Sequence, residues 1–469
     1  MKAILKYVIA SSVLSLCLSI YVNAQNTNMD KNINTITNDT WKGNLQVASN
    51  NITFFLKFNI YKDNIIQSFL SVPEQGLNNY RADSLVIDGL QFKSFFNKLN
   101  IVVTGIYAGD TIPGTFVQNG YTFPILLTKS DIPVLNRPQT PLPPFPYISQ
   151  DVVFENKAQN LQLAGTLTLP RKKGPFKAVI MISGSGYQDR NEEMYEHKPF
   201  MVIADYLTRH GIAVLRYDDR GMGKSGGSMI GNTTADLSTD AYAAYKYLSG
   251  RDDISEVGLC GHSEGGEIAY MLAAKYSEIP FIISMAGPTV MGRDILLSQQ
   301  KALSLASGTP EQYISQAQGV NQVLYNIIVR SSEVNDSLKN AMRESLSKQT
   351  KGSVDNKQIE SVVNELTNPW MYYFMKYSPR EDILNIHIPV LALNGEKDLQ
   401  VLPDLNLNEL DTLSKLSGNI DNVTIKRFPD LNHLFQHCSN GLPSEYAKIE
   451  ETISLKVLEE MVIWINSLD

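Results

Sequence analysis

Between residues 178 and 429 six short runs are apolar at nearly every position: AVIMIS, IAVLRYDD, VGLCG, FIISMAG, PVLALNG and VTIKRFP. A strand with one wet face alternates apolar and polar residues, so runs apolar in both parities belong to a sheet covered on both sides. The stretches between them read as amphipathic helices, and strand–helix alternation of this kind predicts a mostly parallel sheet with helices on both faces. A hairpin, VVFEN and LAGTLTLP, leads into it from about Asp151. One interval is out of scale. Roughly a hundred residues separate FIISMAG from PVLALNG, and they read helical in RDILLSQQKALSLA, PEQYISQAQGVNQVLYNIIV, NDSLKNAMRESLSKQ and NKQIESVVNEL. An insertion of that size after one strand predicts a helical cap, at about 290–385, over the ligand site.

Upstream the texture changes. From Trp41 to about residue 130 the pattern is short alternating strands; in FFLKFNIYK, Phe54, Leu56, Phe58 and Ile60 share one face and Lys57 and Asn59 the other. With no helix interrupting, six or seven strands in a small antiparallel sheet or open barrel are expected, with turn chemistry at Tyr61 to Asn64. Residues 131–150 carry Pro133, Pro138, Pro141, Pro143, Pro144 and Pro146, an extended spacer between a β-rich unit and the α/β unit of 151–469. Two units suit a chain of 469 residues, too long for one ordinary core. At the N-terminus Lys2 and Lys6 precede an apolar run from Tyr7 to Val22, and Val22-Asn23-Ala24 is a small-residue cleavage pattern. The run is shorter than the ~20 residues a spanning helix needs, so a signal peptide over 1–24 and an exported protein, periplasmic or secreted, without stable membrane insertion are expected. The Asn/Thr-rich segment 25–40 has too few apolar groups to repay its own ordering.

The formal charge is −7 and the basic residues are scattered, which argues against nucleic acid as a partner. Outside the signal only Cys260 and Cys438 remain, too few for a disulfide framework and read as ordinary small residues.

Gly261-His262-Ser263-Glu264-Gly265 lies between an apolar strand and an alanine-rich helix. At such a turn flanking glycines avoid collision, and the serine hydroxyl is lifted to the carboxyl end of the sheet. Serine is a poor nucleophile alone and needs a histidine and an orienting acid further on. Asp398 in LALNGEKDLQV and His433 in FPDLNHLFQ each follow a buried strand, on the same edge as Ser263. Asp382 and Asp430 lack that placement and read as solvated, while His262, preceding the serine, reads as packing or support. The developing oxyanion needs aimed donors: the N–H of Glu264, and a second from the loop Ser183-Gly184-Ser185-Gly186, with Ser185 preferred over Gly184 or Gly186. The glycine-rich RYDDRGMGKSGG has the wrong spacing for a phosphate loop and reads as a structural turn.

Together SGSGYQDRN, YDDRGMGKS, GHSEGG, GEKD and Asn432-His433 resemble the α/β-hydrolase superfamily and, more narrowly, exported bacterial carboxylesterases of the EstD type, which carry a β-rich N-terminal domain. The resemblance implies Ser263 as nucleophile, His433 as base, Asp398 as acid, and an oxyanion hole from Ser185 and Glu264, with no cofactor and no metal. The expected activity is hydrolysis of a small-molecule carboxylic ester through an acyl-enzyme. Trp370 and Phe374, in the cap stretch NPWMYYFMKY, are candidate pocket residues, although aromatic residues at helical spacing also suit plain core. Two rival readings are a serine exopeptidase using the same triad and a non-catalytic glycan- or lipid-binding protein on a hydrolase scaffold. For the first, Glu192, Glu193 and Glu196 are the sole hints of an amine anchor and read more simply as a solvated turn.

Overall fold

The computed structural model describes residues 39–47, 50–61, 65–72, 77–131, 135–351 and 354–468. The expected signal peptide, nearly all of the Asn/Thr-rich tail and the turn at 62–64 lie outside these residues. The chain divides into two compact units at Asn136/Arg137.

The first is an antiparallel sheet: β1 (Thr40–Val47), β2 (Asn50–Ile60), β3 (Ile66–Val72), β4 (Leu77–Arg81), β5 (Ser84–Asp88), β6 (Gln91–Phe96), β7 (Ile101–Ile106), β8 (Thr111–Gln118) and β9 (Tyr121–Lys129). The order β4-β3-β2-β1-β9-β8-β7-β6-β5 shows two meanders joined by pairing of β1 with β9. Ser68 of β3 bonds to Ser94 of β6 at 2.9 Å, so the sheet curls over its own core of Trp41, Phe54, Phe58, Phe96 and Phe116. Nine strands replace the six or seven expected. SLVIDGLQF, read as one strand, contains a turn at Gly89 (φ 56°) and divides between β5 and β6, and the polar LNNYR forms β4.

The second unit holds an eight-stranded sheet in the order β10-β11-β13-β12-β14-β15-β16-β17. The hairpin β10 (Ile148–Asn156) and β11 (Leu161–Leu169) joins β13 (Ala213–Tyr217) in antiparallel fashion. From β13 onward every pair is parallel, through β12 (Phe176–Ile182), β14 (Ile254–His262), β15 (Ile282–Met285), β16 (Val390–Gly395) and β17 (Val423–Phe428). Alternate side chains of β12 serve opposite layers. Ala178, Ile180 and Ile182 pack with α2 (Thr234–Ser249), α3 (Glu264–Lys275) and α10 (Pro403–Ser417), and Val179 and Met181 with α1 (Pro199–Arg209) and α11 (Leu455–Ser467).

Between β15 and β16 stands the helical insertion, α4 (Gly292–Ala306), α5 (Glu311–Arg330), α6 (Asp336–Thr350), α7 (Asn356–Leu366), α8 (Pro369–Lys376) and α9 (Arg380–Leu384). It has its own core around Leu324, Ile328, Met342, Leu346, Val363 and Met375.

The proline-rich stretch is less a free spacer than expected. Its C-terminal part is pinned to the α/β unit: the Arg137 guanidinium donates to the carbonyls of Tyr195, Ala447 and Ile449, and Gln139 bonds to Thr452 and Ile453. These partners lie more than three hundred residues away, except Tyr195, so local composition carries no trace of them.

Candidate active site

Strand order sets the site. Because β12 and β14 are neighbours whose following helices lie on opposite faces, their carboxyl ends open a crevice between them. Ser263 sits where β14 turns into α3, with φ 52° and ψ −119°, a left-handed conformation that a serine adopts only when its surroundings impose it. The imposed contacts are visible. A Cβ on Gly261 would lie 1.9 Å from the Gly265 carbonyl oxygen, and one on Gly265 would lie 2.1 Å from that of Ile182. The Ser263 N–H donates to the Met285 carbonyl at 2.8 Å, fixing the turn to β15.

Asp398 and His433 come together from the two loops that follow β16 and β17. The Nδ1–H of His433 donates to Asp398 Oδ2 at 2.8 Å. Asp398, 1% exposed, also accepts from Asn394 Nδ2 (3.0 Å) and from the N–H groups of Gln400 (2.8 Å) and Val401 (2.9 Å). Four donors thus converge on this carboxylate and fix its orientation. Gly395 permits the loops to meet, since a Cβ there would lie 2.2 Å from the Leu431 carbonyl oxygen. Asn432 shapes the histidine loop by accepting from the N–H groups of Leu434 and Gln436, both at 3.0 Å.

The loop after β12 reaches Ser263 from the other side; a Cβ on Gly184 would lie 3.3 Å from that of Ser263. The Gly184 N–H is already committed, donating to Glu192 Oε1 at 2.6 Å. Among the described residues the N–H groups of Ser185 and Glu264 have no protein acceptor, and Glu264 begins α3, where a helix presents unpaired donors and the positive end of its dipole.

The cap reaches the side chain of Glu264. Trp370, on α8, donates from Nε1 to Glu264 Oε1 at 2.8 Å, an oxygen that also accepts from Thr234 Oγ1 at 2.6 Å. Trp370 stacks on Phe374 with centroids 5.4 Å apart, and Phe374 is buried. Burial raises the Glu264 carboxyl pKa, with the bonds from Thr234 and Trp370 opposing.

Several expectations need correcting. Glu192 is 5% exposed and not part of a solvated turn; it binds Gly184 and His262. Only Glu193 and Glu196 of that run are exposed. Asp382 is half-buried and accepts from the Tyr377 hydroxyl, whereas Asp430 is exposed and pairs with Lys397 at 2.6 Å. Lys224 and Ser225 of the glycine-rich turn hold the fold: Lys224 donates its N–H to Asp218 (2.9 Å), and Ser225 bonds to the Asp218 carbonyl and the Ala164 N–H. Cys260 and Cys438 are free thiols, the first buried and the second half-buried. The support from Glu192 escapes sequence reading because NEEMYEH looks like a charged loop; only its tertiary partners distinguish it.

Among the described residues no group of three or more His, Cys, Asp or Glu side chains is arranged to hold a metal ion, and no helix is long and apolar enough to cross a membrane. A hydroxyl at a strained elbow, an imidazole oriented by a carboxylate and unpaired N–H groups nearby are the parts that nucleophilic acyl transfer requires.

Comparison with known proteins adds to this picture. Esterase EstD of Thermotoga maritima is 28% identical over 315 residues, covering 66% of this chain and 67% of its own. Among solved structures, the esterase Pf2001 of Pyrococcus furiosus is similar at 16% identity, covering 72% of this chain and 97% of its own with a TM-score of 0.41. Est1E of Butyrivibrio proteoclasticus, solved with ferulic acid bound, is similar at 16% identity over 67% of this chain and 100% of its own, with a TM-score of 0.39. A hydrolase family model described as serine aminopeptidase, S33, matches residues 194–435, a span that takes in Ser263, Asp398 and His433. As that span is more than half of the chain, the protein belongs to the serine aminopeptidase S33 family of hydrolases.

Proposed function

We propose that this protein is a serine hydrolase of carboxylic esters. The observation that carries the reading is the 2.8 Å bond from His433 Nδ1 to Asp398, made by loops on the sheet edge where Ser263 stands half-buried at a strained turn. Asp398 holds the imidazole in the tautomer whose Nε2 is free to accept, so His433 takes the Ser263 proton as Oγ attacks the ester carbonyl. The oxyanion is met by the N–H groups of Ser185 and Glu264. Collapse expels the alcohol, protonated by His433; water activated by the same imidazole then attacks the acyl-serine and releases the acid. Trp370, held against the side chain of the residue after the nucleophile, borders the acyl or alcohol pocket with Phe374 behind it. The similarity to Esterase EstD supports an ester over an amide.

The family's description names an aminopeptidase, which keeps the exopeptidase reading in view. Glu192 suits that reading poorly, since it is buried and its Oε1 is engaged by Gly184 and His262. The Lys2–Ala24 pattern supports export; N-terminal sequencing of the protein recovered from outside the cytoplasm is expected to begin after Ala24.

The test is a panel of p-nitrophenyl esters of graded acyl length beside aminoacyl anilides, with fluorophosphonate labelling. Ester turnover is expected to exceed anilide turnover, and Ser263→Ala to lower kcat on the order of 10⁴-fold or more while abolishing labelling. Anilide turnover with negligible ester turnover would favour the peptidase. A Ser263→Ala protein that still labels would place the nucleophile elsewhere, and a wild-type protein inert to ester, anilide and probe alike would favour the binding-protein reading.

A further inference from the structure

Beside the triad lies a second histidine–carboxylate pair that the reaction as derived leaves unused. His262 is 6% exposed, and each of its ring nitrogens faces an acceptor: Nδ1 is 3.0 Å from Glu192 Oε1, and Nε2 is 3.0 Å from the backbone carbonyl oxygen of His433. A neutral imidazole has one donor and one acceptor nitrogen, so it satisfies only one of these contacts. The carbonyl cannot donate. The short bond from the Gly184 N–H to Glu192 Oε1, 2.6 Å, gives that oxygen the acceptor role of a charged carboxylate. With Glu192 charged, only the doubly protonated ring makes both bonds, and the carboxylate supplies the counter-charge that a buried cation requires.

We propose that His262 is a buried imidazolium acting as a positioning residue, which with Glu192 ties the oxyanion loop at Gly184 and the backbone of His433 to the strand end that carries Ser263. The proposal rests on the reading of Ser263 and His433 as nucleophile and base. The His262 and His433 ring centroids are 4.8 Å apart, so displacement of one moves the other. The segment that delivers Glu192 is held in a costly conformation: Glu192, Tyr195 and Glu196 have φ of 51°, 53° and 63°, a region non-glycine residues occupy only when over-determined by their surroundings. Burial disfavours the charged ring, but attraction and hydrogen bonding to Glu192, the His433 carbonyl and the Asp398 charge outweigh it and leave the His262 pKa above the ordinary histidine value. The groups facing the pair are Asp398 and His433 on the imidazole side, and Cys260 of β14 and Asp219 after β13 on the Glu192 side. Burial pushes the Asp219 carboxyl pKa well above the ordinary carboxyl range, against the bond from the Gln188 N–H.

The deciding experiment combines ¹⁵N-histidine NMR of the wild-type protein, with His262→Gln used for assignment, and the kinetics of Glu192→Gln. Both His262 nitrogens are expected to remain protonated from about pH 6 to about pH 8, where an ordinary histidine is mostly neutral at the upper end. Glu192→Gln removes the counter-charge and leaves burial, which pulls the ring toward its neutral form. The loss in kcat is therefore expected to reach about tenfold at about pH 8 and to shrink on acidification, with KM nearly unchanged. The Glu192→Gln, His262→Gln double variant is expected to lose no more than the worse single, the signature of groups acting as one unit. A ring carrying a single proton across that range overturns the proposal. So does a pH-independent loss, or a double variant whose losses multiply. If Glu192→Gln fails to fold, the wild-type spectrum decides alone. Fluorophosphonate labelling separates the two levels. Wild-type protein that does not label defeats the triad reading, whereas labelling that is lost in His433→Ala but matches wild type in rate and pH profile in Glu192→Gln defeats only the positioning role.

Discussion

Strand β7 of the antiparallel sheet and strand β16 of the parallel one are both six residues long and read differently in burial. Along β7, Ile101, Val103 and Gly105 are buried while Val102 and Thr104 are half-buried and Ile106 is 47% exposed. Along β16 every residue from Val390 to Gly395 is buried. The first is a sheet with one dry face, whose polar side chains have water on the other. The second is sealed on both faces by helices, so its only outlets are the strand ends, and that is where Ser263, Asp398 and His433 lie. A sealed sheet also traps polar groups. Asn394 Oδ1 and both carboxyl oxygens of Glu267 are buried and, among the described residues, lack hydrogen-bond partners. What the contrast teaches is that a doubly covered sheet concentrates chemistry at its carboxyl edge and charges for every polar group placed away from it.

The strongest challenge to that view is Gly265→Ala. Its Cβ would meet the Ile182 carbonyl at 2.1 Å, the backbone of the strand that leads into the loop from Ser183 to Gly186. Relief by a shift of about 1 Å is expected to cost on the order of 100-fold in kcat. Near-wild-type turnover would mean that the edge is far more pliant than the packing implies. A second test reads the two sheets directly. Leu391→Ala and Val390→Ala, neighbours in β16, are both expected to destabilise, Leu391→Ala by about 2–5 kcal/mol and Val390→Ala by somewhat less, because each faces a packed layer. In β7 the cost should alternate, large for the buried Val103→Ala and within about 0.5 kcal/mol for the exposed Ile106→Ala. Chemical denaturation of the four variants, read with probes in each unit, checks the pattern; a large loss at Ile106 would show that β7 has a second covered face.

The same contrast explains what could be read from the chain beforehand. Sealed strands announce themselves as unbroken apolar runs, so the residues just past their ends, Ser263, Asp398 and His433, were singled out by position. The cap helices were legible through their period, and NKQIESVVNEL matches α7 residue for residue. Strand β4 was not, because LNNYR has no apolar alternation, and the turn inside SLVIDGLQF hid the division between β5 and β6. Least legible were groups whose role depends on distant partners. Arg137 and Gln139 looked like spacer residues, and Glu192 like a surface charge, because the carbonyls, the Gly184 N–H and the imidazole they bind belong to other loops.

One expected effect has the opposite sign, and it is at Glu267. This residue is fully buried on α3, one turn beyond Glu264, and its carboxyl oxygens have no hydrogen-bond partner among the described residues. Burial first, then the nearby Glu264 and Asp382, raise its pKa well above the usual carboxyl range, so the folded protein keeps it protonated. The unfolded chain releases that proton above about pH 4.3, whereas the folded chain does not. The unfolded state therefore binds fewer protons, and the residue's contribution to stability falls as pH rises from there toward the folded pKa. Glu267→Met, similar in length and without polar atoms, is expected to stabilise the protein by about 1–3 kcal/mol near neutral pH, the ordinary cost of an unpaired buried polar group. The gain should shrink below about pH 4.3, where both states are protonated. Urea melts at matched pH values measure it. A loss of stability at every pH would mean that Glu267 has a polar partner in solution, and that even an acid buried inside the sealed layer is paired.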